Sequence, residues 1–226
     1  SSDEIERYLS YSGEEWRAGL LSFKISSFFG AVPDPCITEP GELRGHLRPA
    51  LYVTLTFDNS QQSEPFIGMF GMQGVRRPLS DSTEGTLLGF AHGTAWGFAC
   101  LPDESIDEVM DWRVVDAVFN GNRPIRRLAS EGALRFKIKP GEKRAYHLAL
   151  GVYRDGVVTS GFRTQYYYTS LFKDLEEVLD SALQESPSML TKAFELDQNL
   201  ERKGLSVDRM FLLSHAVHSY CANTEL

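Results

Sequence analysis

The densest run of chemically capable side chains lies near the C-terminal end, where His215, His218 and Cys221 follow one another at intervals of three. On a helix that spacing brings all three to nearly one side, as metal ligands require. Yet the run lacks the glutamate of the His-Glu-x-x-His zinc-peptidase motif, and one helix supplies too few ligands to close a site. An ordinary helix surface meeting a neighbour is the better reading, and neither a metal nor another cofactor is expected. A second run, Gly68-x-x-Gly71-x-x-Gly74 followed by Arg76 and Arg77, has the outline of an anion cradle. It lacks the Gly-x-Gly-x-x-Gly spacing, the terminal Lys-Ser/Thr and the following helix that hold a phosphate. It reads instead as a mobile loop after a strand, from which Gln73 and the two arginines can reach a ligand. No Gly-x-Ser-x-Gly elbow marks a serine hydrolase of that kind. Paired carboxylates cannot be picked out by composition, because there are 31 Asp plus Glu. Glu176, Glu177, Glu195 and Glu201 fall on amphipathic helices, where a solvated face is the default.

The elements that must position these groups change character along the chain. Over 226 residues, 42% apolar and 24% charged, there is enough chain for a sizeable core and too much order for a disordered protein. A net charge of −8 argues against nucleic acid, which needs a cationic surface. No apolar run approaches the ~20 residues that span a bilayer, and Ser1-Ser2-Asp3-Glu4 is not the start of a secretory signal. Three scattered cysteines, Cys36, Cys100 and Cys221, suit a reducing compartment, so a cytoplasmic protein is expected. Residues 4–10, 16–29, 65–70, 86–91 and 95–100 read as strands, and 50–58 alternates Leu51, Val53 and Leu55 with Tyr52, Thr54 and Thr56. Segments 134–139 and 143–150 flank Pro140-Gly141, a hairpin signal. Many short strands with little helix between them favour an antiparallel sandwich. Ile106, Val109, Met110, Val114 and Val118 fit a short helix over 104–118, and the proline-rich stretch 31–49 reads as loop or edge. The pairs and groups at Arg126-Arg127, Lys137, Lys139, Lys143 and Arg144 read as solvated faces.

From about Tyr166 the period becomes helical. Leu171, Phe172, Leu175, Val178, Leu179 and Ala182 recur at threes and fours, and Ser186-Pro187 is expected to end that helix. A second helix spans about 188–203, stopping at Lys203-Gly204, and a third starts at Ser206 as N-cap. The fold class is therefore mostly β with C-terminal helices. Its divisions are a β-sandwich domain over 1–150, a linker over 151–166 and helices over 167–226.

Several short motifs then occur in one order. They are Trp16-Arg-Ala-Gly-Leu20, Ala31-Val-Pro-Asp-Pro35, Pro49-Ala50, Thr56-Phe-Asp-Asn59 and Pro140-Gly-Glu-Lys143. After them come Val152-Tyr-Arg-Asp-Gly-Val-Val-Thr-Ser-Gly161, Tyr166-Tyr-Tyr-Thr169, Leu175-Glu-Glu-Val178 and Ser214-His-Ala-Val-His-Ser-Tyr-Cys-Ala-Asn-Thr224. Together they resemble glycoside hydrolase family 52, the bacterial β-xylosidases, over nearly the whole chain. The resemblance implies an antiparallel β-sandwich, its first strands preceding Ser1, followed by the first helices of an (α/α)6 barrel. It implies hydrolysis of β-xylosides with retention through two carboxylates, and it places both beyond Leu226, so no catalytic residue is expected in these 226. Glu225 occupies a glutamine position of the family pattern and is not the nucleophile.

What the resemblance leaves for this chain is scaffold and part of a pocket wall. Asn223, Thr224 and His215 are the candidate sugar contacts, with a plain helix cap as the alternative for Asn223. Arg76 and Arg77 match a family arginine pair, at the pocket rim or at a homodimer contact. His218 and Cys221 depart from the family's Arg and Tyr. The partners implied are xylo-oligosaccharide substrate and the remainder of the catalytic domain, with no nucleic acid and no membrane. Two other readings stay open: a non-catalytic carbohydrate-binding or dimerisation sandwich, and a β-glucosidase of similar two-domain design. A binding module would show a line of exposed aromatics, and consecutive Tyr166, Tyr167 and Tyr168 point different ways.

Overall fold

The computed structural model describes residues 4–28, 30–110, 131–159 and 161–223. Its strands are β1 (Glu6–Leu9), β2 (Gly13–Ala18), β3 (Leu21–Ser26), β4 (Ala50–Asp58), β5 (Phe66–Gln73), β6 (Arg77–Pro78) and β7 (Leu88–His92). They continue with β8 (Trp96–Cys100), β9 (Ile106–Met110), β10 (Glu131–Ile138), β11 (Lys143–Val152), β12 (Val158–Thr159) and β13 (Arg163–Thr164). The helices are α1 (Pro40–Leu47), α2 (Leu79–Ser82), α3 (Leu175–Glu201) and α4 (Val207–Asn223), with a 3-10 turn at Tyr167–Ser170. The larger sheet runs β1-β2-β3-β4-β11-β8-β7-β6, the second β5-β10-β9, and β12 with β13 forms a ribbon. All the pairings are antiparallel. The expected class, mostly β followed by helices, is the observed one.

Alternation along β4, β8 and β11 builds two cores on the two faces of the larger sheet. Val53, Leu55, Phe57, Phe98, Tyr146 and Leu148 point to the second sheet, where they meet Leu134, Phe136 and Ile138. Their neighbours on the opposite face are Tyr52, Ala91, Ala99 and Ala149, which lie under Leu175, Val178, Leu179 and Ala182 of α3. That face is kept low by small residues because a helix rides on it. At Gly151 a Cβ would come within 2.9 Å of Leu179 Cδ2, so the glycine is the room for that leucine.

Four local expectations are corrected. β10 and β11 do not form a hairpin. β10 pairs with β5 and β9, β11 with β4 and β8, and the Pro140-Gly141 turn carries the chain from one sheet to the other. Both strands have bulky apolar faces, and these meet across the sandwich, with the Phe136 and Tyr146 rings 4.6 Å apart. Buried Asn59 staples this arch to the β4–β5 arch, donating from Nδ2 to the carbonyls of Glu64 and Lys139 at 2.9 and 3.0 Å.

Secondly, Ser186-Pro187 does not end a helix, because α3 passes through Pro187. An internal proline costs about 3 kcal/mol, but the buried stripe resumes beyond it at Met189 and Ala193, and its packing outweighs that cost. Thirdly, residues 106–110 are strand β9, since a spacing of four between Ile106 and Met110 fits a period of two as well as 3.6. Val114, Val118 and the Arg126-Arg127 pair lie outside the described residues. Finally, α1 occupies part of the 31–49 stretch expected to be loop; Pro40 opens it, where its missing N–H costs nothing, and Leu43 is buried.

Candidate functional site

The glycine run does not form a mobile loop. Gly68 and Gly71 lie inside β5 opposite Phe136 and Ala133, and a Cβ at Gly68 would come within 2.3 Å of the Phe57 ring. Only Gly74 turns the chain, at φ +80. Val75 is fully buried, and the Arg76 N–H donates to Ala91 O at 3.1 Å, which pins both arginines to the sheet edge. Arg77 turns inward on α3. It pairs with Glu176, donates to Ser82 Oγ at 2.9 Å and to Gly93 O at 2.8 Å, and keeps Nη2 buried with no partner among the described residues. The Arg76 side chain is exposed and makes no hydrogen bond or ion pair among the described residues.

The carboxylates of α3 serve the same attachment. Asp174 caps the helix, accepting from the Glu177 N–H at 2.8 Å. Glu177 pairs with Arg44, whose other nitrogen donates to Leu171 O and whose guanidinium covers the Phe172 ring. Arg48, with its side chain 2% exposed, binds Tyr52, Ser181 and Glu185. Burial pushes the Glu176 carboxyl up, but Arg77 and Ser82 outweigh it and hold the group below its usual 4.5. Glu177 follows the same pattern, burial being overcome by the Lys173 N–H and Arg44. Both stay ionised near neutrality, so neither has the proton a general acid needs.

α4 begins as expected, with the Met210 N–H donating to Ser206 O at 2.9 Å. His215 lies on its exposed side, edge-on to Phe211 with ring centroids 5.0 Å apart. His218 turns the other way, its Nε2 3.2 Å from Tyr11 O. A carbonyl can only accept, so that nitrogen carries the proton and has no lone pair for a metal. Among the described residues no group of three metal-capable side chains converges. Asn223 is the last residue of α4, the side chains of Cys221 and Asn223 are not described, and Thr224 lies outside the described residues. The β1–β2 turn holds both helices, because Ser12 also donates to Asp197 of α3 from its N–H at 2.9 Å and its hydroxyl at 2.6 Å. Glu176 and Asp197 are 21 residues apart on α3, about 30 Å of helix. Arg77 therefore engages the opposite end of α3 from the β1–β2 turn, which also meets His218 of α4.

Sequence reasoning did not find the Asn59–Lys139, Arg48–Glu185 or Ser12–Asp197 contacts, each between polar partners dozens of residues apart with no local signature. Two of the three tyrosines are occupied as well: Tyr166 and Tyr168 stack on each other at 5.4 Å, and Tyr168 OH accepts from the Arg154 N–H, while Tyr167 is exposed.

What this platform belongs to is decided by comparison with known proteins. The model of glycosyl hydrolase family 52 matches residues 1–226. The chain belongs to glycosyl hydrolase family 52. Two proteins of Geobacillus stearothermophilus, each called beta-xylosidase, are 32% identical to it over 233 and 231 residues. Those alignments cover 100% and 99% of the chain but 33% and 37% of the relatives, so the family 52 chain spans about a third of their length. No helix among its described residues is long and apolar enough to cross a membrane.

Proposed function

We propose that the chain is the N-terminal portion of a retaining β-xylosidase acting on xylobiose and xylo-oligosaccharides, where it is scaffold and part of the pocket wall. The observation that carries this reading is the family match along all 226 residues, against relatives called beta-xylosidase that are about three times as long. In this reading residues 1–150 are the sandwich domain, 151–166 the linker and 167–226 the first helices of an (α/α)6 domain. The outer side of α4 supports it. Val207, Phe211 and Leu212 are 84%, 51% and 65% exposed, the apolar surface that further helices would cover.

Asn223, Thr224 and His215 are then the proposed sugar contacts. Arg76, whose guanidinium has no partner among the described residues, and Arg77, which also braces α3, lie at the pocket rim or a homodimer contact. The two carboxylates, which retention requires about 5–5.5 Å apart, belong to the remainder of the catalytic domain. The exposed thiol of Cys36 and the buried one of Cys100 favour the cytoplasm. The test is an assay of these 226 residues on an aryl β-xyloside and on the matching β-glucoside. No turnover of either is expected. Turnover that disappears on Glu225→Gln would overturn the assignment.

A further inference from the structure

A cavity of about 310 Å³ opens where β8 leaves β11, walled on its other side by α3 at Pro187. The polar groups at its wall follow from strand geometry. The Val152 N–H donates to Pro49 O on the β4 side, and the Tyr153 N–H donates to Ala95 O on the β8 side. Successive residues of a strand direct their N–H and C=O to opposite sides, so Ala145 directs its own toward β8. The β11–β8 ladder stops at Leu148 opposite Cys100. Beyond it the chain continues through Leu101 and Pro102, and proline has no N–H to offer. No strand pairs with Ala145 on that side among the described residues.

The helix wall repeats the situation. Pro187 lacks the N–H that would donate to Leu183 O, and Leu183, Ser186 and Pro187 all line the cavity. His147 contributes an imidazole whose Nδ1 lies 3.3 Å from Thr54 Oγ1 and whose other nitrogen has no partner among the described residues. Charge is cancelled at the remaining wall, where Asp103 is held by Arg144 and by the Ser105 hydroxyl at 2.6 Å. Leu101, Pro187 and Leu190 complete an apolar lining.

We infer that this cavity is a binding site for a single neutral sugar ring, separate from the α4 candidates. The Ala145 backbone groups and one His147 nitrogen, without partners among the described residues, set beside an apolar lining with no net charge, match a ring of hydroxyls on a C–H scaffold rather than an anion. A volume near the lower end of the ~300–1,000 Å³ range of small-molecule pockets suits one ring and not a chain. The choice of a pentose as first ligand rests on the xylosidase reading, whereas neutrality and size rest on the cavity alone.

Titration of the 226-residue protein with D-xylose, followed by NMR of His147 and the Leu190 methyls, tests it. Saturable shifts are expected, with a Kd on the order of 1–10 mM, and D-glucuronate, a charged ring, binds at least ~10-fold more weakly. Ala145→Phe, at an exposed strand position, fills the cavity and weakens D-xylose binding by at least ~10-fold. Leu190→Trp does the same from the helix wall should the first variant not fold. Absence of saturation at about 100 mM, D-glucuronate binding as tightly as D-xylose, or equal affinity in the filled variants overturns the site and leaves a water-filled crevice. No turnover is read, so a failed titration does not touch the hydrolase reading, nor a failed hydrolysis assay this site.

Discussion

The docking of α3 on the larger sheet can be tested at the contact between Leu179 and Gly151. Leu179 is fully buried, and a Cβ added to Gly151 would lie 2.9 Å from its Cδ2, 3.2 Å from its Cγ and 3.4 Å from Leu175 Cδ1. Leu179→Ala removes three carbons, about 2.4 kcal/mol of transfer energy at ~0.8 per carbon. The cavity left behind brings the cost to about 3 kcal/mol. Gly151→Ala alone forces a methyl against the leucine and costs about 1 kcal/mol. In the double variant the clash is gone and the new methyl occupies part of the vacated space, with Leu175 still at ordinary contact. The double variant should therefore be about as stable as Leu179→Ala alone, a coupling of about 1 kcal/mol or more relative to the sum. Equilibrium urea unfolding of the four proteins reads it directly. Costs that add to within ~0.5 kcal/mol would mean that Leu179 does not sit over Gly151 and that the helix is not held on this face.

Two further outcomes follow from the polar attachments. Asn59→Ala deprives the Glu64 and Lys139 carbonyls of a buried donor and should cost about 2–3 kcal/mol in the same measurement; Asn59→Asp should restore little, because an ionised carboxylate cannot donate. Glu176 and Glu177 are held below their usual 4.5, so the folded state binds fewer protons than the unfolded one. Their stabilisation is complete above that value and is lost as pH falls through the lowered ones. Glu176→Gln with Glu177→Gln should flatten the acid limb of the stability curve, and an unchanged limb would show that the Arg77 and Arg44 pairs do not anchor the helix.

Strands were readable in the sequence wherever bulky and polar residues alternate, as over β4, and α4 and the end of α3 near Gly204 were readable from caps. Strand pairing was not. Leu134, Phe136, Tyr146 and Leu148 show the same alternation whether their strands lie side by side or face to face, and only the tertiary core separates the two. Pro187 misled for a related reason, since its local cost is visible in sequence and the buried stripe that offsets it becomes decisive only against the sheet. At the candidate site, Arg77 and Glu176 are 99 positions apart. One member of a basic pair read as ligand-facing thus also serves as a brace for α3. The family resemblance rests on the order of many short motifs and is confirmed along the whole chain.

The chain is proposed to supply scaffold and wall, and not the reacting carboxylates, of a β-xylosidase. The most direct measurement replaces the matching third of a Geobacillus stearothermophilus beta-xylosidase with these 226 residues and compares the chimera with the chain alone on an aryl β-xyloside. Turnover by the chimera and none by the chain alone is expected. Turnover by the isolated chain, or a chimera that folds cooperatively yet leaves the xyloside intact, would contradict it.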